Sequence, residues 1–167
     1  MKIVLIGNII GLLGSIAMVI STIIKEKKKI LISQSIQLTF LTISNLILNS
    51  LTGALVNIVS IIRNILTYKN KLNKVYLFII ILLTISTLFM NNRGLIGLIP
   101  VIATTTITLG MLVEDDRNFK IIILLAVILW SIHDYYIKSY TTFAFNLFSI
   151  LGSGYSIIKQ SKSINKK

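Results

Sequence analysis

The sequence predicts an all-α integral membrane protein with seven transmembrane helices, arranged as two parallel three-helix repeats joined by a linker helix. Three observations lead there. The 167-residue chain is 54% hydrophobic and only 13% charged, whereas a soluble domain carries about 25% charged residues to cover its surface. Seven apolar runs follow one another, separated by short polar or charged breaks. The first three runs echo the last three at a constant offset of 89 positions, without a gap.

The first run, Met1 to Ile24, has the basic start of a secretory signal but no small-residue cleavage site before Lys25. Its apolar part is about 22 residues, enough at about 1.5 Å per residue to cross a hydrocarbon core of about 30 Å, so it is expected to stay as span one. Lys25-Glu26-Lys27-Lys28-Lys29 ends it. Ile30 to Leu48 is span two, and Asn49 to Gly53 is read as a tight uncharged break. Ala54 to Tyr68 is span three, and Lys69, Lys71 and Lys74 mark the next loop. Val75 to Met90 is span four. Asn91-Asn92-Arg93-Gly94 turns the chain into span five, Leu95 to Val113, which contains Pro100. Glu114-Asp115-Asp116 is an acidic break. Phe119 to Ile137 is span six, Tyr140 to Ile158 is span seven, and Lys159 to Lys167 is a polar, basic tail. The expected division is residues 1–74 for the first repeat, 75–94 for the linker helix, 95–159 for the second repeat and 160–167 for the tail.

Charge sets the expected orientation. The loops after spans one, three and five, with the tail and nearby helix ends, hold 14 of the 17 Lys and Arg; Lys2, Arg93 and Lys138 lie on the other side. Basic loops stay cytoplasmic, so the N-terminus is expected outside and the C-terminus in the cytoplasm. The net charge of +12 does not point to nucleic acid, because no basic face continues along a helix. The absence of cysteine excludes disulfides, thiolate metal sites and thiol nucleophiles. One His and five acidic residues leave little material for a metal, a cofactor or a catalytic cluster, so none of these, and no enzymatic activity, is expected. The expected partners are the lipid bilayer and a small polar solute, with homo-oligomerisation left open.

The repeat singles out residues. Asn57, Ser60, Asn64 and Thr67 share one face of span three; 89 positions on, Asn146, Ser149, Ser153 and Ser156 share one face of span seven. Between Thr39 and Ile62, six of 24 positions are identical to their partners, among them Ser50 and Thr52 on Ser139 and Thr141. Polar groups at membrane depth are rare unless they meet partners or a wet cavity. The two stripes therefore either line a polar path on the pseudo-axis or pin neighbouring helices. Trp130, His133 and Asp134 share a face of span six. They suit solute or proton contact, or equally an interfacial belt with Tyr135, Tyr136 and Tyr140. Asn45 is the uncharged repeat partner of Asp134. Gly7, Gly11 and Gly14 predict close helix packing. Pro100 is a candidate hinge. Arg63, near the cytoplasmic end of span three, is expected to snorkel to lipid phosphate, with contact to an anionic substrate as the alternative, and Gln34 and Gln37 are candidates for an inner mouth.

Leu98 to Thr104 with its Pro100, Trp130-Ser-Ile-His133, Ile61-Ile62-Arg63 and Ile157-Ile158-Lys159 resemble the YgjV-type bacterial inner-membrane family over nearly the whole chain. The three-one-three layout also resembles SWEET-type porters. That resemblance implies transport, with an asparagine on the third helix of each repeat (Asn57 and Asn146 here) lining the substrate pocket. Those porters carry prolines in the first two helices of both repeats; here Gly11 stands where Pro100 has its partner. The expected function is a transporter or facilitator of a small polar solute, sugar- or nucleoside-like, working by alternating access. The alternative is a non-transporting membrane scaffold or sensor.

Overall fold

Apolar runs bounded by polar breaks become helices in the computed structural model, which describes residues 2–23, 27–110, 113 and 116–164. Of helical residues 21–23, 27, 30, 116, 117, 119, 120, 152, 153 and 155–164 only the backbone is described. The elements are α1 (Lys2–Ile23), α2 (Lys27–Ile47), α3 (Leu51–Tyr68), α4 (Lys74–Ser86) with a 3-10 turn (Thr87–Met90), α5 (Leu95–Gly110), α6 (Asp116–Tyr136) and α7 (Tyr140–Ile164). Among the described residues there is no strand. Two stretches, Lys2–Ile20 and Leu51–Tyr68, are long and apolar enough to cross a membrane by length and composition; the other apolar helical stretches are 10–17 residues.

Boundaries differ from the sequence reading in three places. The Asn49–Gly53 break is shorter: α3 starts at Leu51, because the Ser50 carbonyl already accepts the Ala54 N–H at 3.0 Å. Span four does not stay α-helical to Met90. Ser86 and Thr87 donate their hydroxyls to the carbonyls of Leu83 and Thr84 at 2.8 and 2.7 Å, and the chain tightens into a 3-10 turn there. Helix α7 runs past Ile158 to Ile164, since no Gly or Pro interrupts Lys159 to Ile164 and basic residues suit a helix C-terminus. Lys25, Glu26, Glu114, Asp115 and the last three tail residues lie outside the described residues.

The helices close a ring. Each touches its chain neighbour within residues 2–68 and 95–164, giving α1 to α2 to α3 and α5 to α6 to α7. The two chains of helices meet along two seams, α3 with α5 and α1 with α7. The ring order α1-α2-α3-α5-α6-α7 maps onto itself when α1, α2 and α3 are exchanged with α5, α6 and α7. Helix α4 sits outside it, on α3 and α5 only. Across the ring, α3 stands opposite α7.

The α2–α3 and α6–α7 turns are one structure at an offset of 89. Asn49 and Lys138 have φ of 57° and 66°. Ser50 N–H donates to the Asn45 carbonyl and Ser139 N–H to the Asp134 carbonyl, both at 2.8 Å. Asn49 N–H bonds the Leu46 carbonyl as Lys138 N–H bonds that of Tyr135. These are left-handed C-terminal caps that satisfy the last carbonyls of α2 and α6. Hereafter this side of the ring is the turn end, and the opposite side the loop end.

Small residues let α1 close in. A Cβ on Gly7 would lie 2.8 Å from the Leu48 side chain, and one on Gly14 would lie 3.2 Å from the Gln37 carbonyl oxygen and from Leu41. At Gly11 the neighbours are polar: Thr142 Oγ1 at 3.0 Å and Ser44 Oγ at 3.3 Å. Pro100 is buried inside α5, where it withholds an N–H from the Ile96 carbonyl.

Burial is inverted relative to a soluble protein. Among the described residues, 21 buried side chains are polar or charged and 12 are hydrophobic, while Ile3, Leu5, Phe78, Leu82, Phe148 and Leu151 are exposed. A water-facing body of this kind would present apolar patches far beyond those of soluble monomers.

The positive φ at Lys138 sets a test. Lys138→Gly removes the Cβ penalty of a left-handed residue and is expected to stabilise the protein by about 1 kcal/mol. Asn49→Gly gains less, because Asn49 Oδ1 accepts from Asn92 Nδ2 at 2.9 Å. Thermal unfolding of both variants in the same detergent reads the difference.

Candidate functional site

The buried polar groups form two clusters, one at each end of the ring. The turn-end cluster is built on the last turn of α6, whose alternation of Trp130, His133 and Asp134 with exposed tyrosines carries three side chains inward. His133 is fully buried, and Asp134 is 3% exposed. His133 Nδ1 lies 3.2 Å from Asp134 Oδ1, and His133 Nε2 lies 2.9 Å from Ser50 Oγ, at the start of α3. Asn146, two turns into α7, donates from Nδ2 to Asp134 Oδ2 at 2.9 Å. Trp130 is half-buried and stands edge-on to the imidazole, ring centroids 5.4 Å apart. One chain of contacts thus runs from α3 through α6 to α7.

Gly53 makes the room. A Cβ there would lie 2.9 Å from Ser50 Oγ and 3.0 Å from both Asn45 Nδ2 and His133 Cε1. Its repeat equivalent is Thr142, whose hydroxyl accepts from Ser139 Oγ at 3.0 Å. The second repeat fills with a threonine the space that the first leaves for an imidazole. Tyr135, Tyr136 and Tyr140 are exposed, whereas His133 and Asp134 are buried and do not join them in a surface belt.

The loop-end cluster lies on α3. Asn57, Arg63 and Asn64 are buried, and Asn57 Nδ2, Arg63 Nε and Asn64 Nδ2 have no hydrogen-bond partner among the described residues. Arg63 does not snorkel. It turns inward, donating from Nη1 to Thr108 Oγ1 of α5 at 3.3 Å and from Nη2 to Asn64 Oδ1 at 3.4 Å. The reason is position: Arg63 is adjacent to Asn64 on the face that meets α5, so the guanidinium finds polar groups inward without leaving the helix.

The sequence-predicted residues thus divide. The structure joins His133, Asp134, Asn146 and Trp130. Asn57 and Asn146 stand on opposite helices of the ring, Asn146 held by Asp134 and Asn57 unbonded. Ser60 is buried and makes no side-chain hydrogen bond among the described residues. Ser149 and Thr67 bond carbonyls of their own helix, Phe145 at 3.0 Å and Arg63 at 2.9 Å. Ser153 and Ser156 fall outside the described side chains, and Gln34 and Gln37 are half-buried. Ser50 and Thr108 carry no separate sequence signal, though the identity of Ser50 with Ser139 marks the position. Among the described residues no three His, Cys, Asp or Glu gather to hold a metal.

The turns are clamped from outside. Asn8 of α1 donates to the Lys138 carbonyl at 2.8 Å and accepts from Thr141 N–H at 2.9 Å. At the other seam, Asn92 donates to the Asn49 carbonyl at 2.9 Å and accepts from Leu51 N–H at 3.2 Å. Arg93 adds bonds to the Asn49 and Leu48 carbonyls. Gly97, the repeat equivalent of Asn8, has Asn91 Oδ1 where its Cβ would stand.

Two substitutions separate the clusters. Asn146→Ala leaves a buried Asp134 oxygen without its donor and is expected to cost about 1–3 kcal/mol. Asn57→Ala removes an amide with no partner and is expected to change stability by less than about 0.5 kcal/mol. Gly53→Ala is expected to cost about 1–3 kcal/mol through overpacking against His133. Unfolding midpoints of the purified variants check all three.

A family model for a bacterial inner membrane protein matches residues 5–164. No curated protein and no solved structure matches the chain.

Proposed function

We propose that this chain, which belongs to the Imp-YgjV family of bacterial inner membrane proteins, is a transporter or facilitator of a small polar solute. In this reading all seven helices span the bilayer as a three-one-three arrangement, with residues 1–74 and 95–159 as parallel repeats around a pseudo-two-fold axis along the membrane normal. The basic loops put the loop end in the cytoplasm and the N-terminus outside. The shorter apolar stretches span with the help of their flanking polar turns.

The carrying observation is the pairing of two seams with an unbonded polar interior. Helix–helix contact between the two three-helix units runs along α3 with α5 and along α1 with α7, the Ser50–His133 bond crosses at the turn end, and Asn57 of α3 offers a buried amide with no partner among the described residues. Two bodies joined at two symmetric seams can rock, which is how alternating access works in repeat transporters. A buried donor without a partner costs about 1–3 kcal/mol, and a hydroxylated solute would recover it. A sugar- or nucleoside-like solute suits amide and hydroxyl groups of this kind. The hydrogen-bonded Ser50–His133–Asp134–Asn146 chain closes the turn end in this conformation. It also favours a second reading, a non-transporting scaffold or sensor, since a satisfied network holds three helices without needing a solute.

Counterflow in proteoliposomes, with pooled labelled sugars, nucleosides and amino acids, needs no assumed driving ion. Accumulation of one class is expected, falling at least about tenfold in Asn57→Ala protein, as for a binding contact of roughly 1.4 kcal/mol. Folded protein that accumulates none of these classes, or Asn57→Ala protein that matches wild type, moves the assignment to the scaffold.

A further inference from the structure

We propose that Arg63 and Asn64 form a binding site for an oxyanion, a carboxylate or phosphate group, at the α3–α5 seam. The inference goes beyond transport, because binding can be read in a protein that moves nothing.

Donors outnumber acceptors around Arg63. Arg63 is 7% exposed and carries five N–H groups and a full charge. Its two hydrogen bonds, at 3.3 and 3.4 Å, are long against the roughly 2.7–2.9 Å of a charge-assisted bond, and Nε makes none. Both partners are neutral. Thr108 spends its own proton on the Thr104 carbonyl at 2.7 Å, so it offers the guanidinium a lone pair and no charge. Asn64 gives Arg63 its Oδ1, which fixes the orientation of the amide and leaves Nδ2 as a donor with no partner. The buried carboxylate Asp134 is taken by His133 and Asn146 at the other end of the ring. What the cluster lacks is therefore an anionic acceptor. A buried guanidinium without one is strongly unfavourable, and an oxyanion supplies both the charge and the lone pairs in the planar geometry that a guanidinium fits.

The site has an approach. A groove of about 290 Å³ runs between α2 and α3, lined by Leu31, Ile32, Ser35, Thr39, Asn64 and Tyr68. Asn64 therefore faces both the groove and the guanidinium. Tyr68 carries Lys28 Nζ 5.6 Å above its ring, and Lys28 is exposed. An anion entering this groove at the loop end would pass Lys28 over Tyr68 and reach Asn64, whose Oδ1 holds the Arg63 guanidinium. Because Arg63 belongs to the first unit and Thr108 to the second, the bound group would sit where the two units touch.

Thermal unfolding of the full chain in uncharged detergent tests this in two arms. One adds inorganic phosphate or acetate at ionic strength held constant with chloride. The other adds phosphatidylglycerol to the micelles, with phosphatidylcholine as its control. A rise of about 5 °C or more at saturation is expected in at least one arm. A rise with the soluble ions assigns a free oxyanion; a rise with phosphatidylglycerol alone assigns a lipid headgroup. Arg63→Gln and Arg63→Met are expected to lose the rise, and Arg63→Met to unfold no lower than wild type without oxyanion. A flat midpoint in both arms overturns the proposal, as does a rise that either variant keeps in full. So does an Arg63→Met midpoint well below wild type without oxyanion, because Arg63 would then be an internal pin between α3 and α5. If Arg63→Gln does not fold, Arg63→Met and Asn64→Ala carry the same comparison.

Discussion

Everything in this fold depends on one constraint: polar groups turned inward must be satisfied from within. The exposed surface is dominated by Ile, Leu and Phe, and the interior holds more buried polar than buried apolar side chains among the described residues. In lipid the helix leaves no spare backbone partners, so hydroxyls bend back onto their own helices. Ser15, Ser35, Thr39, Thr84 and Thr106 all bond the carbonyl four residues before them. Ser33 and Ser44 instead bond α1 carbonyls, of Ala17 and Gly7 respectively, which ties α2 to α1. Hydrogen bonding thus takes over part of the packing that hydrophobic burial performs in water.

The same constraint ranks the two clusters. At the turn end each ionisable group has a partner on another helix or beside it, and the cluster crosses from one three-helix unit to the other through Ser50 and His133. At the loop end donors exceed acceptors. A satisfied network resists rearrangement, whereas an unsatisfied one is stabilised by whatever completes it. The ring therefore has a well-bonded end and an end where, among the described residues, buried donors outnumber their partners.

Much of this was legible in the sequence, and its limits have physical causes. The offset of 89 carries over to the backbone, down to the left-handed residues Asn49 and Lys138 in equivalent turns. Helical spacing correctly grouped Trp130, His133 and Asp134. It could not pair His133 with Ser50, 83 residues away, because that contact exists only once the ring closes. Arg63 was misread for a related reason. A basic residue near a helix end ordinarily reaches for phosphate, and only the neighbouring α5, with Thr108, offers an inward alternative. Helix ends slipped where hydroxyls at Ser86 and Thr87 competed for carbonyls, a local choice that hydropathy does not register.

The two clamps carry a consequence for assembly. Helix α1 holds the turn of the second unit through Asn8, while the first unit's turn is held by Asn91, Asn92 and Arg93 of the connecting segment. At Gly97 the side chain that would mirror Asn8 is missing, and Asn91 occupies its place. A lone three-helix unit with an asparagine at that position would own both halves of a reciprocal contact: a first helix that clamps and a turn to be clamped. Two copies would then be self-complementary as a symmetric dimer. In this chain the connecting segment makes, at the first turn, the contact that α1 makes at the second, so α5 takes no part in clamping a turn through Gly97.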